Sequence, residues 1–155
     1  MPKVMITLEG AEKLERALAV MEAKVAKKIT KKAMRAGAKV ILRAAKARAP
    51  VDTGQMKKAL TVRAARQRKR GEASFNLSFD TKKYPDLVTT SETFQGVGQA
   101  RGSKRFFYPA IVEYGTSTQP AKPFMRPVFD SQKAAALRVI MGQFRKGITD
   151  ARAAR

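Results

Sequence analysis

The chain has no histidine, no cysteine and no tryptophan. Without histidine it lacks the commonest general base and the commonest metal ligand. Without cysteine it has no disulfide framework and no thiolate chemistry. A hydrolase made from what remains would have to rest on carboxylates or on a Ser-Lys pair. Acids are scarce as well, with 12 Asp and Glu against 33 Lys and Arg. Those that could act together, Asp52, Asp80, Asp86, Glu113 and Asp130, are scattered and carry no metal-ligand spacing. No glycine-rich loop leads into a Lys-Ser or Lys-Thr pair, and Gly96-Val97-Gly98 sits in the wrong context for a phosphate cradle. No apolar run approaches the roughly 18 residues of a membrane span. The opening Met1–Ile6 reads as too short and too quickly polar for a signal peptide. The expectation is a protein that is not an enzyme, with no cofactor, no metal and no membrane partner.

What is abundant is positive charge. The net charge is +21 over 155 residues, a length that suits one domain, 1–155, with its own core. The charge is uneven: residues 1–70 hold 20 basic and 5 acidic side chains, net +15, and residues 71–155 hold 13 and 7, net +6. Such an excess repels itself and attracts polyanions, either nucleic acid or an acidic protein surface.

Val4–Leu8 reads as a short strand. From Ala11 the apolar period changes: Leu14, Leu18, Met21, Val25, Ile29, Ala33, Ala36, Val40 and Ala44 recur at three and four residues. That stripe predicts one long helix to about Arg48, bent near Lys27-Lys28 or at Gly37. Pro50 ends it. Asp52 then reads as the cap of a short helix, with Gln55 completing a capping box and Val51 and Met56 a hydrophobic staple. Residues 59–64 read as a strand. Phe75, Leu77 and Phe79 alternate with polar residues in a second strand, and the two predict a hairpin. Its turn carries Arg66, Arg68, Lys69 and Arg70, either a solvated loop or a tip that contacts DNA or an acidic surface. Thr81 to Lys104 shows no periodicity. A loop of that length is unusual in a compact domain, and it reads as an assembly arm adding little to the fold. Tyr84, Leu87, Val88 and Phe94 are its candidate anchors in a neighbouring subunit.

Six of the eleven aromatics and four of the seven prolines fall between Phe106 and Phe129. Pro109 can open a short helix and Gly115 can close it. Pro120 and Pro123 hold the next stretch extended, and Pro127 suits the first turn of a last helix striped by Val128, Leu137, Ile140, Met141, Phe144 and Ile148. Glu113, the acid inside this run, is either solvated or paired, with Arg126 or with an arginine of a neighbouring subunit.

Two pieces carry a resemblance: Ala49-Pro50-Val51-Asp52-Thr53-Gly54 and, some sixty residues on, Tyr108-Pro109-Ala110-Ile111-Val112-Glu113-Tyr114-Gly115-Thr116 with Pro120-Ala121-Lys122-Pro123-Phe124-Met125-Arg126-Pro127. In order, they resemble the tail-component family of long-tailed bacteriophages, also called neck or tail-completion proteins. The likeness runs over nearly the whole chain. The chain departs from the pattern in the proline between Tyr108 and Ala110 and in the longer 81–104 loop. The matching positions are Pro50, Asp52, Thr53, Gly54, Tyr108, Glu113, Tyr114, Gly115, Pro123, Phe124, Arg126 and Pro127.

The resemblance implies an α+β fold, a small antiparallel β-sheet packed against a long N-terminal helix and a C-terminal helix; the reading of the residues gives the same order of elements. It also implies a structural virion protein, assembled in the host cytoplasm and located in the tail or neck. There it would form a homo-oligomeric, hexameric ring at the head–tail junction or the upper end of the tail, acting in tail completion and head–tail joining. Expected partners are other neck and tail proteins (tail terminator, tail tube, head-closure or connector proteins) and packaged DNA in the lumen. The alternative, supported by charge alone, is a basic protein that binds nucleic acid without sequence preference. The aromatics cluster with prolines, away from the basic first helix, whereas a single-strand binder interleaves aromatics with basic residues. That favours the ring.

Overall fold

The computed structural model describes residues 11–19, 21, 23–51, 54–66, 73–90 and 105–154. The strand expected at Val4–Leu8 lies outside these residues. Helix α1 spans Ala11–Ala19 and α2 spans Ala23–Arg48. The expected bend is therefore a break, and it falls around Met21 instead of at Lys27-Lys28 or Gly37. The break lets α1 pack on both α2 and the last helix. Gly37 lies inside an unbroken α2, and its missing side chain serves packing.

The last helix, α5, spans Met125–Ala153. It runs antiparallel to α2: Ile29 meets Gly147, Gly37 meets Ile140, and Ala45 shares a core cluster with Val128. Alanines and glycines at these crossings bring the two helices close. Ala33, Ala45 and Ala136 are almost wholly buried.

Short helix α3 spans Gln55–Ala59 and runs into β1, Leu60–Ala64, which pairs antiparallel with β2, Phe75–Phe79. The register sets Leu60 opposite Phe79, Val62 opposite Leu77 and Ala64 opposite Phe75. This apolar face packs on α2, and Leu60, 1% exposed, joins Ala45 of α2 and Val128 of α5 in one buried cluster.

A second ribbon joins β3, Val88–Thr90, to β4, Arg105–Phe107, with Val88 opposite Phe107. The two ribbons meet through Phe79 and Phe107, whose rings stand edge to face at 5.5 Å. The small antiparallel sheet expected against the long helix and the C-terminal helix is present as the β1–β2 ribbon, and β3–β4 is a second ribbon among the described residues.

The chain between β2 and β3 corrects the reading of Thr81 onward as an arm outside the fold. Asp80 N–H donates to the Ala59 carbonyl and Tyr84 N–H to the Asp80 carbonyl. A 3-10 turn at Pro85–Leu87 then drops Leu87, 4% exposed, into a cluster with Ala49, Met56, Ala59, Val112 and Phe124. Tyr84 packs on the same cluster. These side chains anchor in their own core because one proline-started turn aims a single leucine inward, which leaves no periodic trace. Phe94 lies outside the described residues.

Candidate functional site

The stretch after β4 builds a corner. Tyr108–Tyr114 form helix α4, with Pro109 in its first turn. Gly115 ends it at φ 74° and ψ −176°, a conformation open essentially to glycine. Space demands glycine too: a β-carbon there would lie 2.7 Å from Ala121 N and 2.9 Å from the Gln119 carbonyl oxygen. The returning chain is tied down at once. Thr116 N–H donates to the Gln119 carbonyl at 2.8 Å, Lys122 N–H to the Val112 carbonyl at 2.8 Å, and Gln119 N–H to Thr116 Oγ1 at 2.9 Å. The extended connector thus lies back along α4 and delivers Phe124 to the core.

Glu113 now faces the start of α5. Its Oε2 accepts from Phe124 N at 2.9 Å and Met125 N at 3.0 Å, and its Oε1 accepts from Arg126 N at 3.0 Å. The first four N–H groups of a helix have no partner within it. In α5 three of them reach one carboxylate and the fourth position is Pro127, which has no N–H. Phe124 itself supplies no side-chain cap, so the cap comes from another helix. Negative charge at this end also suits the helix dipole.

The expected ion pair of Glu113 with Arg126 is therefore corrected: Glu113 takes the Arg126 backbone amide and not its side chain. Among the described residues no lysine or arginine side chain lies within ion-pair distance of Glu113. The Arg126 guanidinium stands over the exposed ring of Tyr114, 5.8 Å from its centroid.

The two sequence motifs meet in space. Pro50 and Gly54 from the first, with Gln55 and Met56 just after it, line a cleft of about 190 Å³ with Tyr108 from the second and Asp86 and Leu87 from the 3-10 turn. Gln55 Nε2 donates to Asp86 Oδ2 at 2.9 Å across it. Helix α3 begins at Gln55 with Gly54, at φ 70°, as its cap. The expected capping box rests on Asp52, which with Thr53 lies outside the described residues. The staple is corrected, since Val51 is 73% exposed while Met56 is buried.

Of the basic turn, Arg66 is exposed after β1, and Arg68, Lys69 and Arg70 lie outside the described residues. Pro123 is exposed and Phe124 buried. Sequence reasoning missed the bridge from Gln55 to Asp86, for which two polar residues 31 apart give no signal. It also read the lysines and arginines of α2 only as part of a bulk charge excess. Among the described residues no helix is long and apolar enough to cross a membrane.

A family model described as "HK97-gp10_like: Bacteriophage HK97-gp10, putative tail-component" matches residues 12–115. The match includes Glu113 and Gly115 and stops before the first turn of α5 that Glu113 caps. No curated protein and no solved structure matches.

Proposed function

This chain belongs to the HK97-gp10-like family of bacteriophage tail components, and we propose that it is a structural subunit of a hexameric ring at the head–tail junction or the upper end of the tail, acting in tail completion and head–tail joining. The observation that carries the reading is the family match over residues 12–115. The corner supports it: Glu113, Gly115, Phe124 and Pro127 are each engaged in shaping the chain, which is the work of a scaffold. Material for subunit contacts lies outside the corner. Phe129 is 48% exposed and borders a groove of about 570 Å³ between α2, α5 and β2, with Met34, Ile41, Phe75 and Leu137. An apolar groove of that kind suits a neighbouring subunit. Residues 91–104, with Phe94, are the part of the loop we assign to an assembly arm reaching a neighbour or the next ring.

Partners in this reading are other neck and tail proteins, and the place of action is the virion tail. The free subunit carries a charge of +21, which opposes self-association, so the ring forms fully on a partner surface. Light scattering of the protein alone and with its tail-tube partner tests this, with electron microscopy of assembled particles. The expected result is a small species alone and a closed ring on the partner. An isolated monomer in particles, bound nowhere, overturns the reading.

A further inference from the structure

Helix α2 is two-faced. One face, with Ile29, Ala33, Gly37 and Ala45, is buried against α5 and the β1–β2 ribbon. On the other, every lysine and arginine of the helix except Lys46 is exposed, and the helix contains no acidic residue. From Lys24 to Arg48 the charged face runs roughly 36 Å at about 1.5 Å per residue.

This arrangement works against the helix that carries it. Lys31, Arg35, Lys39 and Arg43 form one i, i+4 column, and Lys24, Lys28 and Lys32 form another. Like charges at that spacing are destabilising. Lys24 also sits at the positive end of the helix dipole, with no acid in the first turn. A merely solvated face has no need of this, and α1 shows the ordinary solution, Glu12 and Arg16 paired one turn apart at 3.9 Å. Among the described residues no basic side chain of α2 has an ion-pair partner. The charge is arranged for something outside the chain.

The chemistry of that partner follows from what else the face presents. Its other exposed residues are Ala23 and Ala47, so it has no aromatic, Met or large aliphatic anchor. Protein interfaces have an apolar core and are depleted in lysine. Phosphate backbones need only mobile point charges, which lysine supplies, and double-stranded DNA presents one charge per roughly 1.7 Å of axis. We propose that the exposed face of α2 is a sequence-independent binding surface for the phosphate backbone of double-stranded DNA. The surface belongs to one subunit and stands or falls independently of ring formation.

The test is fluorescence anisotropy of the full chain with a labelled duplex of arbitrary sequence, across a salt series. The variant combines Lys28→Gln, Lys32→Gln, Arg35→Gln and Lys39→Gln, with helix content followed by circular dichroism. Each lost phosphate contact should lower the slope of log affinity against log salt by about 0.9, so the variant should lose about three to four units. A two-site variant, Arg35→Gln with Lys39→Gln, should lose about half as much and decides the matter if the larger variant loses helix. Neutralising Arg66, Arg68, Lys69 and Arg70 instead should leave most of the slope. A folded α2 variant with an unchanged slope overturns the proposal. So does a slope lost only with the hairpin residues, or polyglutamate bound as tightly as the duplex at matched salt, which would make the partner an acidic protein. A protein that binds DNA this way but never forms a ring would sink the ring reading alone.

Discussion

Ile140 of α5 occupies the space that Gly37 of α2 leaves open. A β-carbon on Gly37 would overlap Ile140 Cγ1 and would stand 3.2 Å from the Ala136 carbonyl oxygen. Further along the pair the roles reverse, since a β-carbon on Gly147 would stand 2.8 Å from Ile29 Cγ2. Each helix thus inserts an isoleucine over a glycine of the other.

Gly37→Ala should therefore destabilise the protein although alanine favours helix. The gain in propensity is roughly 0.8–1 kcal/mol, and overpacking typically costs about 1–3 kcal/mol. A net loss of about 1 kcal/mol is expected by chemical denaturation. The double variant with Ile140→Ala should show a favourable coupling, because the clash is gone. Gly142→Ala is the control: nothing lies within 4 Å of its position, so it should stabilise by roughly 0.5–1 kcal/mol. A Gly37→Ala protein as stable as Gly142→Ala would show that the helices do not pack this closely.

Glu113→Ala should cost about 2 kcal/mol, the upper part of the range for a lost helix cap, because it strands two partly buried amides and one exposed one. Glu113→Gln keeps one acceptor oxygen and should cost about half that. Arg126→Ala should cost less than about 1 kcal/mol, since its side chain meets only an exposed ring. Thermal melts of the three variants measure the order. Equal losses in Glu113→Ala and Arg126→Ala would point to a side-chain ion pair in place of the cap.

The two left-handed glycines should differ. Gly54, at φ 70°, has nothing within 4 Å of a β-carbon, so Gly54→Ala should cost about 1–2 kcal/mol for the conformation alone. Gly115→Ala meets both a glycine-only conformation and the Ala121 backbone at 2.7 Å, and should cost roughly 3 kcal/mol or more. Denaturation midpoints that place Gly54→Ala below Gly115→Ala would contradict this geometry of the corner.

Leu87→Ala should destabilise by about 2–5 kcal/mol, as for a core leucine. Replacing residues 84–102 by a Gly-Ser linker should lower the melting temperature at least as far, because it removes Leu87. Replacing only residues 92–103 should leave the melt nearly unchanged and block incorporation into particles. Normal infectivity of the shorter replacement would rule out an assembly arm there.

The sequence by itself determined the elements whose cause is local. Pro50, Pro109 and Gly115 stop and start helices because ring closure restricts the backbone, and a missing β-carbon frees it, wherever they stand. The apolar stripes of α2 and α5 and the alternation of Phe75, Leu77 and Phe79 marked the faces that would be buried. The motif pair carried the family. Glu113 was legible as an unusual acid, but the groups it binds were not, because backbone amides carry no residue-specific mark in a sequence. Tertiary structure alone decided the rest. It set Glu113 against the first turn of α5, brought Tyr108 to Pro50 and Gly54, turned Leu87 into the core, and seated Ile140 on Gly37. Each of these depends on two segments meeting in space, and a contact between distant segments is fixed by packing, not by the local preference of either one.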